Sequence, residues 1–284
     1  MRVIDDTRAD LERRISLDFG GETSGDFHRD FINWIHFRAR SVPKLRRSVF
    51  VSREVVLHQD RFPAIEKIRF SLMAAGDLGP WLSERTRKSK MDHNADMMFN
   101  DWQIVHFHLG DFFQSAKAIR RTKELLFVHI TAEEATLLDV EMHGAWTKTE
   151  LLEILLRTNP PALERYEAHA VTGVRFSDDK YRELRGGRTN SMIAIAGRAF
   201  MPGMGLFSSG HATRLWAYKT WFFKKIEEIK REFEADIVDR YLKPAIYQRL
   251  GIPVRLGAWY NDEGLAIIDK NRNGLVLHKM KPLE

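Results

Sequence analysis

Apolar residues in the first quarter of the chain recur at helical intervals. Phe27, Phe31, Trp34, Ile35 and Phe37 predict a helix over 27–38, with Asp26 placed as its N-cap. A second helix is predicted over 64–75, entered through Pro63 and broken by Gly76. The run 46–57 (Val49, Phe50, Val51, Val55, Val56, Leu57) fits either a strand or a short helix. Residues 83–100 are polar and basic and read as a loop or surface segment.

In the middle of the chain the period changes to two. Residues 104–109, 125–130 and 136–143 predict three short strands, the last two joined through 131–135 as in a hairpin. A helix is expected from about 147 to 157, with Thr147 as N-cap, Glu150 at capping-box spacing and Asn159-Pro160-Pro161 as the stop. Residues 161–181 are ambiguous, 185–190 read as a basic turn, and 191–200 alternate like a strand. A long helix is predicted over about 212–250, beginning near Ser208 or Ser209 and kinked at Pro244. Residues 254–278 read as two or three strands with turns at 261–264 and 270–274. The predicted class is α+β: an antiparallel sheet, N-terminal helices, a long C-terminal helix and a terminal β-hairpin. A division near residue 190 gives parts 1–190 and 191–284, or the two form one integrated domain.

Composition narrows the field. The 284 residues are 44% hydrophobic and 30% charged, as in globular proteins. No apolar run approaches the ~18 residues of a membrane span, and residues 1–20 lack the apolar core of a secretory signal. The absence of cysteine excludes disulfides, thiol catalysis, iron–sulfur ligation and Cys-containing zinc sites, and it fits a cytoplasmic protein. A net charge of +6 is compatible with a polyanionic partner without requiring one. The chain has no phosphate-loop or dinucleotide glycine motif, no Gly-x-Ser-x-Gly elbow and no His-Glu-x-x-His. The aromatic and basic residues of the long helix (Trp216, Trp221, Phe222, Phe223, with Lys219, Lys224, Lys225) read as a core stripe with a solvated opposite face.

The strands carry the candidate chemistry. Sorting them by parity puts Val105, Phe107, Leu109, Leu126, Val128, Ile130, Leu138, Val140 and Met142 on one face, all apolar. The other face receives His106, His108, Phe127, His129, Asp139, Glu141 and His143. Four of the chain's eleven histidines thus fall between residues 106 and 143. Imidazole serves as base, acid or metal ligand near neutral pH, so this histidine-rich face is the candidate site. A purely structural role also fits the pattern, with the imidazoles hydrogen-bonded to Asp139, Glu141 and backbone.

Two chemistries suit the cluster. Cleavage at a 2′-hydroxyl of RNA needs a base, an acid for the leaving oxygen and cations for the phosphate. His106, His108, His129 and His143 would supply acid and base, Arg120, Arg121 and Lys148 would contact phosphate, and Asp139 and Glu141 would orient imidazoles or bind metal. The alternative is a metalloenzyme acting on a small molecule, in which the His-x-His pair, a third imidazole and a carboxylate hold a divalent transition metal. The residues after His108 do not continue a cupin motif.

Residues 101–156 resemble the sheet of RelE/HigB-type toxin ribonucleases. Trp102 to Leu109 looks like an early strand, Leu125 to Ile130 is similar to a middle one, and Leu137 to Lys148 resembles the late strand and its exit toward a helix. The resemblance implies an antiparallel meander behind N-terminal helices, action on RNA or at the ribosome without a required cofactor, and inhibition by an antitoxin protein. That family's strands are richer in Arg and Lys than these. The leading expectation is therefore a toxin-like ribonuclease of a toxin–antitoxin or phage-defence system. A His-ligated metalloenzyme and a non-enzymatic protein-interaction module are the alternatives.

Overall fold

A computed structural model describes residues 3–83, 97–110, 113–115, 118–145, 147–187, 189–204, 212–235 and 253–282. The chain is α+β and divides into two compact units, 1–35 with 215–283, and 36–214.

The first unit contains β1 (Val3–Asp5), α1 (Thr7–Asp18), the start of α2 (Phe27–Arg40), most of α9 (Thr213–Glu234), and strands β10 (Val254–Asn261), β11 (Gly264–Asp269) and β12 (Leu275–Met280). Asp26 caps α2 as predicted, its Oδ1 accepting the N–H groups of His28 and Arg29 at 2.9 and 3.3 Å. The apolar stripe of α9 is core: Phe222 stacks on Phe31 with ring centroids 5.9 Å apart, and Phe222, Ile226, Ile229 and Phe233 are buried. Strand order is β1-β10-β11-β12, with β1 parallel to β10 and the others antiparallel. The three C-terminal strands match the expected pattern. The predicted Pro244 kink, the Ser208/Ser209 start and the far end of the long helix lie outside the described residues.

The second unit is built on a sheet of order β2-β7-β6-β3, from β2 (Ser48–Val51), β3 (Ile104–His108), β6 (Glu124–Ile130) and β7 (Glu134–Met142). Strands β3, β6 and β7 form the expected antiparallel meander. Strand β2 adds to β7 in parallel, so the sheet is mixed rather than purely antiparallel. The ambiguous run 46–57 turns out to hold both β2 and a short helix, α3 (Arg53–Val56). Ser52 divides them: its Oγ caps α3 by accepting the Val55 N–H and donates to the Leu138 carbonyl at 2.5 Å.

Helices pack on both faces of this sheet. On one face Val105, Phe107, Leu109, Leu126, Val128, Ile130, Leu137 and Val140 meet Ile65, Ile68 and Leu72 of α4 (Ala64–Met73). On the other, Ile104, Leu125, Phe127 and Leu138 meet Trp102 of α5 (Met97–Trp102). That cluster also takes in Leu151, Leu152 and Leu155 of α6 (Glu150–Thr158), Leu163 of α7 (Pro160–Glu164) and Tyr181 of α8 (Asp178–Gly186).

Several local expectations change. A register shift between Phe127 and Val128 inserts a residue in β7. Leu138 therefore joins the second core and Leu137 takes the place expected for it in the first. Met142, expected in the core, is exposed at the sheet's end. Thr147 does not cap α6; the N-cap is Thr149, whose N–H and hydroxyl donate to Asp178. The polar segment ending at 100 finishes in helix α5. The 185–190 turn begins inside α8, where Arg185 is buried. The 191–200 strand is a two-stranded hairpin, β8 (Ile193–Ile195) and β9 (Arg198–Phe200). Two further short strands, β4 (Phe113–Ser115) and β5 (Ala118–Ile119), pair after β3.

Candidate functional site

The pairing of β3, β6 and β7 fixes three cross-strand rungs: His108–Leu125–Glu141, His106–Phe127–Asp139 and Ile104–His129–Thr136. Directly paired residues point to the same side of a sheet. In the first two rungs an imidazole on one outer strand faces a carboxylate two strands away, across an apolar residue. Two strand spacings put these groups ~10 Å apart at the backbone, too far for direct contact.

The third rung is different in kind. His129 is 0% exposed and lies beneath the helices of this face. Thr136 is equally buried and accepts a hydrogen bond from Asn159 Nδ2 at 3.2 Å. Burial and the charges of Arg165 and Arg214 push the His129 imidazole down to about 3, so it is neutral. The face is therefore half core: Ile104, Leu125, Phe127 and Leu138 are packed, and the polar groups gather at the end toward His108 and Glu141.

His106 is half-buried, its ring 6.0 Å from that of Phe127. His108 is buried, and its Nδ1 has no hydrogen-bond partner among the described residues. Its imidazole bonds the Thr122 backbone, which favours the charged form, but burial and the positive fields of His106, Arg121 and His143 outweigh this. The group is pushed down to about 4. These couplings bring His106, His108, His143 and Arg121 into one neighbourhood.

Gly110 builds part of that neighbourhood. A Cβ there would sit 2.1 Å from the Arg120 carbonyl oxygen, so only glycine permits the returning chain so close. Thr122 fixes the return: its hydroxyl accepts the Leu109 N–H at 2.9 Å and donates to the Glu124 carbonyl at 2.5 Å. Arg120 and Arg121 come just before Thr122, and both are exposed.

On the β7 side, Asp139 is half-buried, with burial holding its carboxyl above the ordinary carboxylate range. The Val140 N–H donates to it at 2.7 Å. His58 approaches it to 3.7 Å, a residue that sequence reasoning missed. It lies 81 positions away in the chain, in the turn after α3, and only the parallel docking of β2 on β7 brings it here. Glu141 accepts a hydrogen bond from Lys148 Nζ, and that bond raises the lysine's affinity for its proton. The Lys148 charge is thus already matched by a carboxylate. His143 is exposed in the turn after β7. The structure therefore gathers His106, His108, His143, Arg121, Asp139, Glu141 and Lys148 at one end of the sheet and leaves His129 beneath the helices. The Asp92-His93-Asn94 triplet, the other polar group near the first strand, lies outside the described residues.

Among the described residues no group of three His, Asp or Glu side chains is placed to hold a metal ion. No described helix is long and apolar enough to cross a membrane. The chain matches no family model, no curated protein and no solved structure.

Proposed function

We propose that the end of the sheet bearing His106, His108, Asp139 and Glu141 cleaves RNA by metal-independent acid–base chemistry, as a toxin-like ribonuclease. The observation that carries this reading is the state of His108. Its imidazole is neutral, one ring nitrogen is engaged by the Thr122 backbone, and Nδ1 is buried with no partner among the described residues, so the substrate must reach it from within the end of the sheet. A neutral imidazole with an unengaged lone pair is a proton acceptor.

In the proposed reaction the 2′-hydroxyl gives its proton to His108 and its oxygen attacks the adjacent phosphorus. His106, as imidazolium, returns a proton to the departing 5′-oxygen, so the two imidazoles exchange states over one turn. Arg121, whose charge reaches His108, and Arg120 beside it hold the phosphate. Bound phosphate also raises the imidazole's proton affinity, offsetting the positive neighbours that depress it in the unliganded protein. Asp139 and Glu141 stand two strands from the imidazoles, beside His58 and Lys148. His129 has no part in the reaction. The His-ligated metalloenzyme is the weaker reading, because the imidazole and carboxylate of each rung stand two strands apart.

Purified protein incubated with total RNA, with and without EDTA, tests the proposal. Cleavage that survives chelation and disappears in His106→Ala and His108→Ala supports it. Cleavage abolished by EDTA points to the metalloenzyme instead. Intact RNA in both conditions, together with a stable protein complex that the double variant still forms, points to an interaction module such as one bound by an antitoxin.

A further inference from the structure

Strand β2 forms one edge of the second unit's sheet, and β7 is its only strand neighbour among the described residues. The Ser48 N–H donates to the Glu133 carbonyl at 2.9 Å, and the Ser52 N–H to the Leu137 carbonyl at 3.0 Å. Alternate residues of a strand turn their N–H and C=O to the same side, so Ser48, Phe50 and Ser52 serve β7. Val49 and Val51 turn theirs outward, where the described residues supply no partner. Two donors and two acceptors therefore stand in a row along an open edge.

Proteins usually blunt such edges with charge, proline or a bulge. In the first unit's sheet, edge strand β12 carries Lys279 and an irregular register at Ile267/Ile268. Strand β2 has no charged residue, no proline and a regular register with β7. Its side chains also set what can be added. Val49 and Val51 are half-buried against the core that includes Ile65, Ile68 and Leu72 of α4, while Ser48 and Phe50 are exposed on the opposite face. A further strand would extend an apolar row on the α4 face and meet water on the other, which calls for alternating apolar and polar residues.

Charge selects the polar ones. Arg46, at the entry to β2, is exposed and has no partner among the described residues. Arg47 beside it is buried and donates to the carbonyls of Thr131, Pro43 and Leu45 at 2.7 to 3.1 Å, which satisfies its hydrogens without cancelling its charge. At the far end Arg53 is already matched by Glu54 at 3.0 Å. Unmatched positive charge thus gathers at the Arg46 end, where acidic residues would complement it.

We propose that the free edge of β2 takes an added strand from a partner protein: an extended segment of alternating apolar and acidic residues that pairs with the backbone of Val49 and Val51 and meets Arg46. This surface is separate from the His106–His108 end of the sheet and does not depend on the ribonuclease reading.

The test is fluorescence-anisotropy titration of the full chain with a labelled Glu-Val-Glu-Val-Glu-Val peptide, with Lys-Val-Lys-Val-Lys-Val as comparator. Saturable binding of the acidic peptide alone is expected. Two further peptides, N-methylated on the valine or on the glutamate amides, each lose the donors of one edge. One should bind about tenfold more weakly, the effect of one or two main-chain hydrogen bonds, and the other should bind as before. Val49→Pro removes an outward N–H and should weaken binding similarly, and Arg46→Glu should reverse the preference between the acidic and basic peptides. Thermal melts report whether the variants fold; if Val49→Pro does not, the methylated peptides decide. The proposal is overturned if the acidic peptide binds no more tightly than the basic one, if methylation of both edges has the same effect, or if folded Arg46→Glu keeps the wild-type preference. It is also overturned if sedimentation shows a wild-type dimer that folded Val49→Pro dissociates, because the edge is then filled by a second copy of the chain.

Discussion

His108 and Glu141 occupy the same rung of the central sheet, two strands apart, with Leu125 between them. The polar groups of the candidate site are thus arranged as two banks with an apolar floor. Each bank keeps its own partners, Thr122 for His108 and Lys148 for Glu141, and the strand between them is buried.

This arrangement predicts unequal roles for the imidazole bank and the carboxylate bank. Replacing His106 or His108 by alanine is expected to lower RNA cleavage by about 10²–10⁴-fold, the usual contribution of a positioned acid or base. Glu141→Gln is expected to cost much less, since it only releases Lys148. Single-turnover rates on a defined oligonucleotide discriminate these cases. Equal losses in His108→Ala and Glu141→Gln would mean that the carboxylate bank takes part in the chemistry.

Gly110→Ala places a methyl group against the Arg120 carbonyl. The turn has to move, at an expected cost of about 1–3 kcal/mol in stability. Because the same turn carries Arg120 and Arg121, the substrate KM should rise more than expected from the fall in stability. Urea melts and steady-state kinetics on one preparation check this, and a variant with wild-type stability would show that the close approach is not maintained in solution.

Two buried imidazoles make stability acid-sensitive. His108 and His129 are pushed down to about 4 and about 3, so below the ordinary histidine value near 6.5 the unfolded chain binds protons that the folded one refuses. Their contribution is complete above pH 6.5 and is lost as pH falls toward 4. Asp101 acts in the opposite sense: burial raises it to about 6, so its ionised form weighs against folding above that pH and its protonation favours folding between pH 6 and 3.8. The net prediction is a fall in Tm from pH 6.5 to 4.5, and His129→Met should flatten it. A His129→Met variant with the same pH slope as wild type would contradict the assignment.

Breaking the Asp101–Arg185 pair leaves one buried charge without its partner. Arg185→Met is expected to destabilise the second unit by about 3–5 kcal/mol. Adding Asp101→Asn should recover part of that loss. The double-mutant cycle in urea measures the coupling, and additive effects would show that the two groups are not coupled in solution.

Much of the framework was legible from the order of side chains. The period-two runs gave β3, β6, β7 and the C-terminal strands, and the 3.6-residue spacing gave α2, α4 and the core stripe of α9. These signals are local, since they depend on which residues lie two, three or four positions apart. The parity rule held along β3 and β6, where the pairing is regular, and failed at Leu137 and Leu138, because a one-residue insertion changes the facing of everything beyond it. No feature of the 127–138 sequence announces that insertion.

The order of residues by itself determined that the chain is α+β, that it relies on no cysteine, and that His106, His108 and His129 fall on neighbouring strands; His143, expected at the end of the third strand, lies in the turn after it. The tertiary structure alone decided what those imidazoles are. Helices packed over one end of the sheet removed His129 from water, while the other end kept His106 half-open and drew in His58 from 81 residues away. It also turned Arg185 from part of an expected basic turn into a buried partner of Asp101. Solvation and proton affinity depend on which distant segments cover a side chain, and no short-range pattern encodes that.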